Sequence, residues 1–463
     1  MTAYWQIWAA PSLAVRRDNA RLVVRQLQIK RGLILAADGK VLAQDRRRRS
    51  NGRTIYLRRY PYGPLFAHIV GYNTVGQGRT GLELSENDYL TASNADLGTL
   101  LGKLGDQLQG KGITGNTIQT TLSVAAQRAA WNGLAGERGA VVALDPRTGR
   151  VLAAVSRPSF DPTSIGSNFR HVARRPGSPL LDRALGGLYA PGSTFKVVTA
   201  ATGIQAGLYT PDSLIDAKGS CITVETRPLC NFGGETFGTI TLTDALTHSV
   251  NTVFAQVGQR IGATRLEAAM QRLGFGSKPA LDYPSDEMAA SGLYGNGRLL
   301  PPGTPIDVAR VAIGQERLGV TPFQMATVAA TIADGGVRMK PMLVERALTP
   351  GGGTLFRNRP QELERVFSRR TAQEVGTMME NVVNEGTGTA AALAGISVAG
   401  KTGTAETGVA GLNTAWFIAY APADRPRIAL AVVVERTPEQ GGIAAAPIAR
   451  DVIEAYLNGS VAK

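Results

Sequence analysis

The sequence predicts an α+β fold in two parts: an antiparallel sheet with a helical block inserted into it, preceded by a smaller β-rich domain. Three observations carry this expectation. Residues 118–463 show strand-like apolar runs near both ends and helical patterns between them. Strands at both ends of one domain must meet in one sheet if the core is single. Residues 25–117 instead show short β-runs separated by turn signals,. A chain of 463 residues is also long for one domain,.

Residues 1–24 read as a separate juxtamembrane segment. Residues 4–13 are apolar and aromatic, and read as the outer end of a membrane span with Trp5 and Trp8 at the interface,. The competing reading is a buried terminal helix, and Arg16 and Arg17 weigh against an outward-facing flank,. No run of 18 apolar residues is present, so no complete span is expected,. Residues 16–30 are basic with a helical pattern. In the β-rich domain, Leu33-Ile34-Leu35 and Val41-Leu42-Ala43 flank Asp38-Gly39, a hairpin signal,. The four arginines at 46–49, beside Asn51-Gly52, read as a solvated loop,. Residues 91–117 are rich in Gly, Asp and Gln without a strong period, and the domain boundary is placed there, at 117/118.

In the second domain, residues 140–144 and 150–155 are β-runs joined by Asp145-Pro146-Arg147-Thr148-Gly149, whose turn formers stand where a turn needs them,. Helical spacing follows over 193–208, 242–258 and 322–333. Strand pattern returns at 397–405, 416–420 and 428–434, and residues 447–457 read as a closing helix.

The formal charge is +14. Such an excess attracts nucleic acid, anionic headgroups or phosphate-bearing substrates. No nucleic-acid motif accompanies it, so nucleic acid is not an expected partner. The plainer reading is a solvated basic surface. Cys221 and Cys230 are the two cysteines. They either close a small disulfide loop in an oxidising compartment or remain free thiols. With three histidines and no ligand spacing, no metal site and no cofactor is implied,.

Three motifs carry chemistry: Ser193-Thr194-Phe195-Lys196, Ser249-Val250-Asn251 and Lys401-Thr402-Gly403-Thr404. Ser193 follows Pro191-Gly192, a turn that opens a helix, and at three residues' spacing Lys196 shares its face. A serine hydroxyl needs a base to take its proton. Lys196 serves only when neutral, a state favoured by burial, by a second cation at Lys401 and by the positive end of a helix. Ser249 can relay the proton to a leaving amine, and the Asn251 amide can hold a substrate carbonyl. On a strand, Lys401 with the hydroxyls of Thr402 and Thr404 suits a carboxylate, and Gly403 admits a ligand backbone. A peptide laid along that strand would add as a further strand. The backbone N–H groups of Ser193 and Thr404 are candidates for an oxyanion hole. His68, His171 and His248 fit no Ser-His-Asp pattern. His248 reads as a packing residue.

The set S-x-x-K, S-x-N, K-T-G in this order is known from penicillin-binding proteins and class A β-lactamases. The chain resembles a class B penicillin-binding protein, a peptidoglycan D,D-transpeptidase of the elongation or division type. Further segments carry the resemblance: Arg183-Ala184, Tyr189-Ala190-Pro191-Gly192, Gly314-Gln315, Val320-Thr321-Pro322-Phe323-Gln324, Val382-Val383-Asn384-Glu385-Gly386-Thr387-Gly388 and Ala415-Trp416-Phe417. Arg31-Gly32, Tyr60-Pro61 and Gly81-Leu82-Glu83 resemble the family's non-catalytic pedestal. The resemblance implies a penicillin-binding or serine β-lactamase-like transpeptidase domain at 118–463 on a pedestal at 25–117. It implies a serine acyl-enzyme at Ser193, made from D-Ala-D-Ala stem peptides of peptidoglycan, and acylation by β-lactams. It further implies attachment to the cytoplasmic membrane, a catalytic domain outside the cytoplasm and a polytopic membrane glycosyltransferase partner. The ~115 residues before the second domain are too few for a glycosyltransferase domain, which excludes the bifunctional class. Two rivals share the motifs: a β-lactamase-type hydrolase, which needs a device for deacylating water, and a β-lactam sensor, which needs a signalling domain.

Overall fold

The computed structural model describes residues 27–50, 52–94, 99 and 113–461. The expected juxtamembrane segment 1–24 lies outside the described residues. Among the described residues, no helix is long and apolar enough to cross a membrane.

The first part grows from the predicted hairpin. Strand β1 (Ile34–Leu35) pairs antiparallel with β2 (Val41–Ser50), and the chain turns through Gly39 at φ 81°. β2 continues outward, paired with β3 (Arg53–Arg59). This corrects the expectation of a loop at 46–49. The arginines are exposed, but they lie on a strand, with Arg46 opposite Leu57, Arg47 opposite Tyr56 and Arg48 opposite Ile55. Four identical charges show no alternation to read, so the strand is legible only through its partner, whose β-formers supply the pairing. Helix α1 (Gly81–Ser85) brings Glu83 into the core. There Glu83 takes Arg31 at 2.8 Å and Arg58 at 2.5 Å, while Arg58 also reaches Asp45 at 3.2 Å. Burial pushes the Glu83 carboxyl up, but Arg58 and Arg31 outweigh it and hold it below its usual range,. Removing one partner from such a network strands a buried charge, typically at a cost of about 3–5 kcal/mol. Strand β4 (Thr117–Thr120) runs parallel to β1.

The second part opens with helix α2 (Val124–Gly133), N-capped by Ser123,. The hairpin β5 (Arg138–Leu144) and β6 (Val151–Arg157) follows. The helical block contains α3 (Lys196–Gln205), the small hairpin β7 (Cys221–Val224) and β8 (Arg227–Cys230), α4 (Leu242–Thr247), α5 (Asn251–Ile261) and α6 (Pro322–Ala333). The chain then forms β9 (Val344–Leu348), β10 (Thr354–Arg357), α7 (Arg369–Asn384), β11 (Ala399–Glu406), β12 (Asn413–Ala421), β13 (Ile428–Thr437) and α8 (Ala446–Val461).

Strands from both ends of this part meet in one sheet, in the order β11-β12-β13-β5-β6, antiparallel throughout. Along β13, Leu430, Val432 and Val434 face the cluster shared with α2 and α8, while Ala429, Ala431 and Val433 face the cluster shared with α6. Both faces are covered, which is why the strand reads as a continuous apolar run. β9 and β10 return to the first part and complete its sheet, in the order β10-β9-β4-β1-β2-β3. The line drawn at 117/118 therefore falls inside β4, and the two parts share a sheet that residues distant in sequence build together. Short polar strands give no sequence sign of such a pairing.

Candidate active site

The nucleophile turn is fixed before it reaches Ser193. Tyr189 and Val320 exchange backbone hydrogen bonds of 2.9 and 2.8 Å. The Tyr189 hydroxyl and Arg183 both donate to Glu435 Oε1, at 2.5 and 2.8 Å. Trp416 Nε1 donates to Ala190 O at 3.0 Å, and Gly192 N donates to Gly314 O at 2.9 Å. The segment 183–192 is thus strapped to β12, β13 and the loop before α6. Gly192 is required: it stands at φ 53°, and a Cβ there would come within 2.8 Å of Thr404 O,. The residues at 192–195 form a 3-10 turn, and α3 starts at Lys196. Ser193, half-buried, precedes Lys196 by one turn, as expected.

Lys196 is fully buried. Its Nζ lies 2.6 Å from Ser249 O, 2.6 Å from Asn251 Oδ1 and 3.3 Å from Ser249 Oγ. A neutral amine has two N–H groups and one lone pair. The two carbonyl oxygens accept both N–H groups, and the lone pair remains for a hydroxyl proton. Burial, and after it the charge of Lys401, push Lys196 well below the usual lysine range,. Burial brings Lys401 down to about 7.

The second motif sits in the break between α4 and α5. Ser249 adopts φ 60°, a left-handed conformation that costs a non-glycine residue on the order of 1 kcal/mol,. The turn aims both its carbonyl and its hydroxyl at Lys196. Asn251 opens α5, and its Nδ2 donates to Cys230 O at 2.9 Å. Cys221 and Cys230 are disulfide-bonded across the β7–β8 hairpin, with Cα atoms 4.0 Å apart. Of the two states open from the sequence, the structure has the bond, and the hairpin backs the Asn251 amide. His248 is exposed and stacks on Phe237, a packing role.

On β11, Lys401 is fully buried and donates to Thr402 O at 3.1 Å. Thr402 Oγ1 lies 2.6 Å from Thr387 Oγ1, and Thr404 Oγ1 accepts from Gly441 N at 3.3 Å. Gly403 also has a reason within the fold. A Cβ there would meet Pro191 O at 2.8 Å and Thr194 Cγ2 at 2.9 Å, so its bare Cα admits the nucleophile turn of the chain itself,. The same packing lays Thr404 beside Gly192, next to Ser193. The structure thus brings Ser193, Lys196, Ser249, Asn251 and Lys401, with Thr402, Gly403 and Thr404, into one site. Sequence reasoning missed Thr387, although the segment 382–388 was singled out, and missed Glu435, which no local pattern marks.

A half-buried serine one turn before a fully buried lysine, between a helix and the edge strand of an antiparallel sheet and completed by a second serine and a second lysine, defines a serine acyltransferase of the penicillin-recognising class. Residues 139–454 match the family model for the penicillin binding protein transpeptidase domain, and residues 31–118 match that for the penicillin binding protein A dimerisation domain. The chain belongs to the penicillin-binding protein transpeptidase family. It is 36% identical to peptidoglycan D,D-transpeptidase PbpA of Mycolicibacterium smegmatis, over 98% of this chain and 94% of that protein. It is 34% identical to the protein of the same name from Mycobacterium tuberculosis, with the same coverage. Penicillin-binding protein A from M. tuberculosis, as its imipenem acyl-enzyme complex, superposes with a TM-score of 0.85 at 33% identity, over 94% of this chain and 99% of that one. The penicillin G acyl-enzyme complex gives 0.84, over 93% and 100%.

Proposed function

We propose that this chain cross-links peptidoglycan stem peptides and is acylated by β-lactams, with Ser193 as the nucleophile. In acylation, Ser193 Oγ attacks the carbonyl of the penultimate D-alanine and its proton passes to Lys196 Nζ. The C–N bond breaks, and the proton reaches the departing D-alanine amine through Ser249 Oγ. In the second half, the amine of a neighbouring stem attacks the ester and Ser193 regains its proton. Asn251 holds the substrate amide, Lys401 with Thr402 and Thr404 receives the carboxylate, and the N–H groups of Ser193 and Thr404 hold the oxyanion. The observation that carries the reading is Lys196: buried, one turn from the serine, with both amine hydrogens bound by carbonyl oxygens.

We further assign residues 25–117 to a pedestal, 118–463 to the transpeptidase domain and 1–24 to the membrane side. The catalytic domain then lies outside the cytoplasm beside a polytopic glycosyltransferase. The disulfide supports the compartment, because such bonds persist where conditions are oxidising,. Incubation with a D-Ala-D-Ala stem peptide and an amine acceptor tests the reaction. Release of D-alanine together with a new amide to the acceptor is expected. Hydrolysis alone, with the acceptor untouched, would make the chain a hydrolase.

A further inference from the structure

The β2–β3 ribbon presents one face unlike anything the transpeptidase site needs. Directly opposed residues of an antiparallel pair project to the same side, and successive residues alternate sides. One side of the ribbon carries Asp45 and Arg58, which enter the buried ion network with Glu83, and further out Arg47 and Arg49 beside Tyr56 and Thr54. The opposite side carries Arg46, Arg48, Arg53 and Arg59, all exposed, around half-exposed Ile55 and Leu57. No acidic residue stands on that face. β3 is the edge of its sheet, and charges on an edge strand keep it from pairing with other chains,. Edge protection does not require an acid-free face on which four exposed arginines surround two apolar side chains.

We propose that this face docks the pedestal on an anionic lipid surface. The arginines complement phosphate headgroups, and Ile55 and Leu57 suit the boundary between headgroups and acyl chains. The path of the chain supports a lipid surface over a soluble polyanion. Arg31 N donates to Asp45 Oδ2 at 2.7 Å, at the foot of the ribbon. Arg31 therefore sits at the foot of the ribbon, and the sequence that precedes it includes the apolar aromatic stretch at 4–13. The proposal rests on the membrane-side assignment made above, but not on the chemistry at Ser193.

Two double variants of the full chain test it, with identical loss of charge on opposite faces. Binding is measured by co-sedimentation with vesicles of equal phosphatidylglycerol and phosphatidylcholine, across a salt series. An arginine near such a surface is worth about fivefold in binding. Arg46→Gln/Arg48→Gln should therefore weaken binding about 25-fold at low salt and flatten its salt dependence. Arg47→Gln/Arg49→Gln should weaken it less than about threefold, since those side chains point away. Both should label normally with a fluorescent penicillin, which separates failure here from failure of the transpeptidase reading. Equal losses in the two variants, a parent chain that ignores anionic vesicles, or a parent that binds soluble polyphosphate in preference to vesicles would each overturn the proposal.

Discussion

Asn251→Asp isolates the claim that Lys196 acts as a neutral base. The substitution keeps the shape of the side chain and replaces a neutral oxygen 2.6 Å from Lys196 Nζ with a charged one. At an effective dielectric of about 20, opposite charges 4 Å apart attract by roughly 4 kcal/mol, and 1.36 kcal/mol corresponds to one pKa unit. Asn251 is half-buried, so we discount this to a rise of about two to three units in Lys196. Lys196 would then be protonated over a pH range in which the parent holds it neutral, and acylation at neutral pH should fall. The variant also loses the Nδ2 donor to Cys230 O and a contact to substrate, but those losses act equally at every pH. Stopped-flow acylation by a fluorescent penicillin between pH 6 and 10 separates the effects. The acid limb of the profile should move up by about two to three units, with partial recovery at high pH. A profile lowered evenly, with its limb unmoved, would refute Lys196 as the base.

Lys196→Arg keeps reach and charge but gives up no proton, and acylation should fall at least ~10²-fold, measured at saturating penicillin. Replacing Cys221 and Cys230 together by serine should cost about 2–3 kcal/mol in resistance to urea, with an added loss of acylation because the hairpin carbonyl at Cys230 holds the Asn251 amide. Glu287, whose carboxylate receives Gly81 N at 3.0 Å across the seam between the two parts, is pushed by burial up to about 7. That folded value lies above the unfolded value near 4.5, so between the two the folded state keeps a proton the unfolded state has released, and stability falls as pH rises through that window. Glu287→Gln should therefore raise the thermal midpoint at pH 8, by the equivalent of about 1–2 kcal/mol after allowance for its partial exposure, and leave it unchanged at pH 4.5.

The catalytic core was legible because its signals are local. The serine and lysine of a one-turn spacing, the strand that carries Lys401, and the uninterrupted apolar run of β13 each declare themselves within a few residues. The rest depends on partners distant in sequence. The sequence marks Gly81-Leu82-Glu83 only through its resemblance to the pedestal, and the burial of Glu83 shows once Arg31 and Arg58 close on it. β9 and β10 carry no mark of the first sheet, and the strand at 46–49 is visible only once Ile55, Tyr56 and Leu57 lie opposite it. The left-handed turn at Ser249 has no signature either, since serine is an uncommon residue there,. Nothing in the sequence shows that Gly403 admits the backbone of residues 191–194, because those residues lie more than two hundred positions away.

The most direct test of the account is intact-protein mass spectrometry after penicillin G, followed by peptide mapping, on the parent chain and on Ser193→Ala. The account predicts one long-lived adduct of the mass of the drug, on the peptide that carries Ser193, and none on the folded variant. An adduct that persists in Ser193→Ala, or one that maps to Ser249, would contradict it.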